Sequence, residues 1–274
     1  MDIASLRLCR SLLFLPASNP RAVEKARELD ADMIVLDCED AVKPEDKAAA
    51  RAAAVEAIRE GFGGRPATIR MNGFGTRWFG EDIVALRGSG ASVIVLPKVE
   101  TLKQVHDVAQ LLQKPLLAMI ETAAGVLKAA EIAPYTRGLI IGTNDLAADL
   151  QLPAGAGRAP LMHSLQTVVL GARAARVAAF DGVYNGLDDD DEALARQCEE
   201  GRSFGFDGKS LIHPSQIETA NRIFGPSEAE IDAAERLIAA STGGAERFEG
   251  KMIESLHVDQ ARALLRKARR QPLP

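Results

Sequence analysis

Eight short apolar runs follow one another along the chain, and stretches with helical character lie between them. Runs that are apolar at almost every position are typical of strands buried on both faces of a parallel sheet. The intervening stretches, such as Glu45–Glu60 and Thr101–Leu112, are long enough for the crossover helices that parallel strands require. The predicted strands are Leu12–Leu15, Met33–Leu36, Thr68–Met71, Val93–Leu96, Leu116–Ile120, Leu139–Ile141, Ala179–Val183 and Ser210–Ile212.

Eight strand–helix units predict an α/β fold, namely a closed (β/α)8 TIM barrel over residues 1–224. The alternative is an open doubly wound sheet, but no Gly-rich nucleotide-binding motif follows any predicted strand. Residues 225–274 lie outside the repeat and form a C-terminal helical extension, with one helix starting at the Ser227 cap and another near Val258–Arg270. This extension either packs on its own barrel or serves as a lid over a neighbouring subunit's site.

Composition narrows the class of protein. The chain has 274 residues, 47% of them hydrophobic and 26% charged, which suits one globular barrel. A net charge of −5 argues against nucleic acid as a partner. The three cysteines are widely spaced and include no Cys-x-x-Cys pair, so we expect neither a disulfide framework nor a zinc cluster, and a cytoplasmic location. No apolar run is long enough to predict a membrane span.

Two predicted strands end in a similar way. Glu121 follows the run at Leu116–Ile120, and Asp145 follows the run at Leu139–Ile141. Chemistry in barrels of this type gathers at the carboxyl ends of the strands, so we expect both carboxylates at one rim. Oxygen ligands without a Cys or His cluster suit Mg²⁺, which retains several waters. Taken singly, each acid could equally cap a helix or form a structural ion pair.

Further charged residues follow the second and third predicted strands. Asp37, Glu39 and Asp40 form an acidic cluster, which needs a cation or hydrogen bonds to offset its repulsion. For Asp40, one interpretation is a role around metal-bound waters, and the other is a cap for the helix that begins after Pro44. Arg70 ends the third strand, where its planar fork could clamp a substrate carboxylate or pair with a buried acid.

Nine short motifs, most of them at or next to the ends of the predicted strands, are spread along nearly the whole chain. They are RSLLFLP at 10–16, DCEDAV at 37–42, RMN at 70–72, PKVE at 97–100, IET at 120–122, GTNDL at 142–146, GFDGK at 205–209, IHPSQ at 212–216 and GKMIE at 250–254. Each motif is modest alone, but in this order they are highly specific. The chain resembles the citrate lyase β-subunit-like proteins of the HpcH/HpaI aldolase/citrate lyase family.

The resemblance implies a metal-dependent carbon–carbon lyase of the oxo-acid type that acts on an acyl-CoA thioester. Glu121 and Asp145 would bind one Mg²⁺ per subunit, and Glu39 and Asp40 would form hydrogen bonds with the metal waters. Arg70 and Glu121 would bind substrate, and Arg70 and Asp40 would take part in catalysis. Family members are typically homotrimers or hexamers in which the C-terminal segment covers the next subunit's site.

One position departs from the family pattern. After GKMI the family usually carries an Asp, proposed to exchange the proton on the acetyl carbon, and this chain has Glu254. The added methylene changes the reach of the carboxylate, and a shift of about 1 Å can cost about 100-fold in rate. Glu254 is our candidate general acid. Arg21 and Lys25, near the first strand, are candidates for coenzyme A contacts from their position alone.

The resulting hypothesis is retro-Claisen cleavage of a citramalyl-CoA or malyl-CoA type thioester to acetyl-CoA and a 2-oxo acid. Coenzyme A would be part of the substrate. A citrate lyase β subunit would instead act on a citryl group held by an acyl carrier protein, and a CoA-independent aldolase would act on free hydroxy-oxo acids. A non-catalytic barrel would only bind an acyl-CoA. A thioesterase would use the same base to direct water at the thioester.

Overall fold

The computed structural model describes residues 2–186 and 191–269. Eight parallel strands close into a barrel in sequence order, and the last strand pairs with the first. The strands are β1 Ser11–Pro16, β2 Met33–Asp37, β3 Ala67–Arg70, β4 Ile94–Leu96, β5 Leu116–Ile120, β6 Gly138–Ile141, β7 Ala178–Asp181 and β8 Gly208–Leu211. The predicted TIM-barrel class is confirmed, and each predicted strand overlaps an observed one.

Helices connect the strands, and Thr101 shows how one of them begins. The Thr101 side chain accepts a hydrogen bond from the Gln104 N–H, and the Gln104 side chain accepts one from the Thr101 N–H, so the helix starts at Leu102. The helices are α1 Ile3–Leu6, α2 Pro20–Ala26, α3 Lys47–Glu60, α4 Phe79–Arg87, α5 Leu102–Leu112, α6 Ala123–Leu127, α7 Ala129–Ile132, α8 Thr143–Asp149, α9 Met162–Ala174, α10 Asp191–Phe204, α11 Gln216–Phe224, α12 Glu228–Ala240 and α13 Ser255–Arg269. None of the helices in the two described ranges has the length and apolar character needed to cross a bilayer.

Burial on both sides of the barrel wall explains why most strand positions are apolar. Successive strand side chains point to opposite faces, so each strand supplies two separate clusters. In β1, Leu12 and Phe14 join a cluster made almost entirely of strand residues, which fills the barrel interior. Leu13 and Leu15 join the larger cluster that contains the helix residues. A rigid two-layer wall therefore fixes the strand ends on which the site is built.

The chain leaves the barrel after α11. Ser227 caps α12 in a capping box with Glu230, and Glu230 also forms an ion pair with Arg202 of α10. An antiparallel hairpin, β9 Glu246–Phe248 and β10 Lys251–Ile253, then precedes α13. Lys267 of α13 donates a hydrogen bond to the carbonyl of Asp207, just before β8, at the amino end of the barrel. Residues 270–274 of the predicted extension lie outside the described residues.

Candidate active site

A cavity of about 410 Å³ lies at the carboxyl ends of the barrel strands. It brings together side chains that follow four different strands and are far apart in the sequence. Its charged wall residues are Asp37, Asp40, Arg70, Glu121 and Asp145. Of the acids that the sequence placed at one rim, all except Glu39 therefore line one cavity together with Arg70, where substrates of TIM barrels usually bind.

Glu121 lies in the cavity wall, where one of its carboxylate oxygens accepts a hydrogen bond and the other packs against Gly142. Its side chain is buried, and its Oε1 accepts a hydrogen bond of 2.6 Å from the Lys98 N–H. Its Oε2 lies against Gly142, where an added Cβ would come within 2.4 Å of that oxygen. Burial, reinforced by the charge of Glu39, raises the pKa of Glu121 to about 7. A nearby cation would therefore stabilise its ionised form.

Arg70 forms a buried ion pair with Asp37 beside the cavity. Its Nε and Nη2 donate to the two Asp37 oxygens at 2.7 and 2.6 Å, and its guanidinium lies over the Phe14 ring. We expected the guanidinium fork to bind a substrate carboxylate. In the structure this fork binds the Asp37 carboxylate instead, so the expected geometry was wrong. Nη1, 3.1 Å from Glu39 Oε2, lies on the remaining edge of the guanidinium. Any substrate contact must use that edge.

Lys98 joins the acidic residues from the two sides of the cavity. Its Nζ lies 2.8 Å from Glu39 Oε1, 3.5 Å from Asp40 Oδ1 and 3.7 Å from Asp145 Oδ2. Burial raises the pKa of Glu39. Burial opposes ionisation of Asp40 as well, but the charges of Arg70 and Lys98 outweigh it and lower the pKa of Asp40. These carboxylates belong to one charge network.

The helix-cap interpretation of Asp40 is wrong. The segment after Asp40 begins with a 3₁₀ turn at Pro44–Asp46, and neither Lys43 before it nor Asp46 before α3 makes a side-chain capping bond. Asp40 instead lies on the cavity wall, and its side chain is 54% exposed. A carboxylate that is open to the cavity can still form hydrogen bonds with water or a bound molecule.

The donor set fits a hard divalent cation. Glu121 and Asp145 present carboxylates to the same cavity, and Glu39 Oε2 is buried without a hydrogen bond, although it faces the Arg70 charge. Within the described residues there is no group of three or more Asp, Glu, His or Cys side chains arranged to hold a metal. A cation held by two carboxylates would therefore keep several waters, as Mg²⁺ usually does.

The other predicted site residues lie outside this cavity wall. Arg21 and Lys25 are exposed on α2, the helix that follows β1. Glu254 is exposed just before α13, and its N–H donates to His257 Nδ1. Glu254 is not among the residues that line the cavity. Within one chain, the predicted proton donor is thus separate from the predicted metal ligands.

Lys98 and Gly142 position the Glu121 carboxylate, although the sequence alone gave neither residue a role. Lys98, directly after β4 and Pro97, has a φ of +52°, which places its N–H on the Glu121 carboxylate. Gly142 supplies the space that the same carboxylate occupies. A Gly between a strand and a following acid was a visible signal for the second residue. No sequence pattern predicts that a lysine has a left-handed backbone conformation, because residues other than Gly and Asn rarely adopt it.

Fold and site together define the class: an α/β-barrel enzyme with a carboxylate-rich site at the carboxyl rim, suited to a divalent cation. The family model described as HpcH/HpaI aldolase/citrate lyase matches residues 10–214. This chain belongs to the HpcH/HpaI aldolase/citrate lyase family.

Named relatives cover nearly the whole chain. The (3S)-malyl-CoA thioesterase of Cereibacter sphaeroides is 45% identical over 94% of each chain. Citrate lyase subunit beta of Leuconostoc mesenteroides subsp. cremoris is 34% identical over 96% of this chain and 94% of its own. Among solved structures, the protein CitE from Mycobacterium tuberculosis in complex with magnesium, acetoacetate and coenzyme A matches with a TM-score of 0.80 and 35% identity. That match covers 94% of this chain and 97% of the other.

Proposed function

We propose that this enzyme is a Mg²⁺-dependent carbon–carbon lyase that cleaves a hydroxyacyl-CoA of the citramalyl-CoA or malyl-CoA type. The products would be acetyl-CoA and a 2-oxo acid. The observation that carries the proposal is the convergence of Glu121, Asp145 and Arg70 on one cavity in a chain of this family. The magnesium and coenzyme A bound by the structural relative from M. tuberculosis support it.

Glu121 and Asp145 are the residues that would hold one Mg²⁺ per subunit, and Glu39 and Asp40 would accept hydrogen bonds from its waters. The metal, when bound, would acidify the substrate hydroxyl and orient the adjoining carboxylate. Gly142 and the Lys98 N–H keep the Glu121 side chain in place for this role.

Cleavage needs positive charge where the thioester enolate develops. Asp40, an ionised carboxylate on the cavity wall, would accept the proton of the substrate hydroxyl. The new C=O would then form as the C–C bond breaks, and the electron pair of that bond would pass to the thioester enolate. Nη1 of Arg70, which lies 3.1 Å from Glu39 Oε2, would bind this group, while Asp37 holds the guanidinium in a fixed orientation. Such preorganised charge is worth about 3 kcal/mol in comparable oxyanion sites. Arg70 and Glu121 would thus contact the substrate directly.

We infer that the proton donor comes from another subunit. Glu254 would protonate the enolate carbon as general acid, giving the methyl group of acetyl-CoA. Its exposed position outside the cavity wall is what a residue reaching a neighbouring site requires. Residues 225–274 would accordingly form a lid over that neighbour in a homotrimer or hexamer.

The rim has room for a substrate longer than the acyl group. A second cavity of about 570 Å³ adjoins the first and shares the wall residues Thr143, Asn144 and Val183 with it. An extended thioester arm could lie along these cavities. Arg21 and Lys25 line neither cavity, but both are exposed on α2, which begins at the same rim after β1, and we propose them as contacts of the coenzyme A phosphates.

Thioester hydrolysis is the second candidate, because relatives that are 43–45% identical are named (3S)-malyl-CoA thioesterase. The same carboxylates would then direct water at the thioester carbon, releasing malate and free coenzyme A from malyl-CoA. These names also favour a free CoA ester over a citryl group on an acyl carrier protein, the arrangement expected of a citrate lyase β subunit.

Malyl-CoA separates the two reactions in one assay. The protein is incubated with Mg²⁺ and (3S)-malyl-CoA, and the products are followed by a thiol reagent and by chromatography. A lyase yields glyoxylate and acetyl-CoA without free thiol, whereas a thioesterase yields malate and one thiol per turnover. A panel of hydroxyacyl-CoA esters under the same conditions identifies the preferred acyl group. Thiol release with no acetyl-CoA from any ester would overturn the lyase proposal.

A further inference from the structure

Lys98 has an unusual backbone conformation at the centre of the site. It follows β4 and Pro97, and its φ of +52° lies in the left-handed region, which costs a non-glycine residue free energy. This conformation directs its N–H to Glu121 Oε1 at 2.6 Å. The site therefore requires a particular backbone direction here, yet the residue is a lysine rather than a glycine.

The Lys98 side chain reaches the same set of acids as the backbone. Its ammonium contacts Glu39 and Asp40 on one side and Asp145 on the other, at 2.8, 3.5 and 3.7 Å. A lysine ammonium carries a positive charge at neutral pH, and here three carboxylates lie within 3.7 Å of it. With 45% of the side chain exposed, its long stem has open solvent beside it.

We propose that the Lys98 ammonium and the divalent metal compete for the same carboxylates, so that metal binding displaces the ammonium from Asp145. This inference rests on the metal site of the proposed function. Asp145 is a proposed metal ligand, and Glu39 and Asp40 are the proposed partners of its waters. An ammonium that contacts all three residues is strongly repelled by a dication bound among them.

The competition gives Lys98 a positioning role. Its ammonium holds the Glu39–Asp40 side and the Asp145 side of the cavity together against their mutual repulsion. Its N–H stays on Glu121 when the side chain moves, because the backbone contact does not depend on the ammonium. The lysine therefore holds the metal-free carboxylates in place, and its net effect is to weaken metal affinity, because the metal must displace the ammonium to bind.

Substitution of Lys98 tests the competition by metal binding, without any substrate. Mn²⁺, a probe of the same hard oxygen sites, is titrated into the full-length protein, and free Mn²⁺ is measured from its EPR signal. Lys98→Met removes the ammonium, and Lys98→Gly removes it while easing the left-handed backbone, so at least one variant should fold. Lys98→Arg keeps the charge. Lys103→Met is the matched control, since Lys103 is an exposed α5 lysine paired with Asp107.

Lys98→Met and Lys98→Gly should bind Mn²⁺ about tenfold more tightly than the wild type, as expected for the loss of a neighbouring positive charge. Lys98→Arg and Lys103→Met should stay within about threefold of the wild type. Equal or weaker binding by both uncharged variants overturns the proposal. Wild-type binding by Glu121→Gln would place the metal elsewhere and overturn it too. If the variants show the expected Mn²⁺ affinities but the wild-type protein cleaves no CoA ester, only the proposed reaction is rejected.

Discussion

At the scale of single residues, the site depends on charge held in fixed orientations. The Arg70 side chain is 11% exposed and donates two hydrogen bonds to Asp37; burial opposes its charge, but these ion-pair contacts raise its pKa. A permanent cation with a further nitrogen at the cavity, Nη1, is suited to a negative charge that develops during reaction. Lysine carries the same charge but lacks the planar fork that pairs with both Asp37 oxygens and still presents a further nitrogen to the cavity.

Arg70→Lys should therefore lower kcat/KM by about 100-fold, with Mn²⁺ affinity within about threefold of the wild type. Arg51→Lys is the matched control, because Arg51 forms a similar buried fork with Asp82 and Glu81 but does not line the cavity. Thermal unfolding should show comparable losses of stability for the two variants. Equal kcat/KM in the two variants would mean that Arg70 is only a structural ion-pair partner.

At the scale of strands and loops, the sequence predicted the rim but not its internal contacts. Apolar runs and their terminal acids were sufficient to place Glu121 and Asp145 together, because a closed parallel barrel puts all carboxyl ends on one side. The Arg70–Asp37 pair depends on strand register: Asp37 of β2 lies directly opposite Arg70 of β3. Register and the left-handed Lys98 come from tertiary packing, which single-sequence patterns do not encode.

The turn after β6 offers a direct test of how these elements support one another. An added methyl group at Gly142 would overlap Glu121 Oε2 and Cβ, at 2.4 and 2.6 Å, and force the carboxylate from its position. Gly142→Ala should weaken Mn²⁺ binding and kcat/KM by at least about tenfold each. Gly80→Ala in α4 is the control, since nothing lies within 4 Å of its added Cβ. It should leave both quantities unchanged, and a matching result for Gly142→Ala would reject the steric role.

At the scale of the whole molecule, the proposed metal ligands and the proposed proton donor lie on separate parts of the chain, the barrel and its extension. A hydrogen bond from Lys267 to the Asp207 carbonyl connects α13 to the amino end of the barrel, whereas the acidic cavity lies at the carboxyl end. Glu254 is exposed and outside that cavity. The sequence left open whether the extension serves its own barrel or a neighbour's, and these positions favour the neighbour.

Subunit mixing decides between the two arrangements. Glu254→Gln and Glu121→Gln should each be inactive alone, because one lacks the proton donor and the other a metal ligand. Co-expressed in equal amounts, they should recover about a quarter of wild-type activity if each site combines one barrel with another subunit's extension. If the extension serves its own barrel, every site carries a lesion and the mixture stays inactive. As a control, the two variants are expressed and purified separately and combined only in the assay, which shows how much activity subunit exchange restores during the measurement.

The most direct measurement is product formation from citramalyl-CoA with and without the two proposed metal ligands. With Mg²⁺, the wild-type protein should convert it to equal amounts of acetyl-CoA and pyruvate. Glu121→Ala and Asp145→Ala should each lose at least about 100-fold in rate while remaining folded by circular dichroism. Wild-type rates in both variants, or no carbon–carbon cleavage of either citramalyl-CoA or malyl-CoA by the wild type at saturating Mg²⁺, would contradict the account.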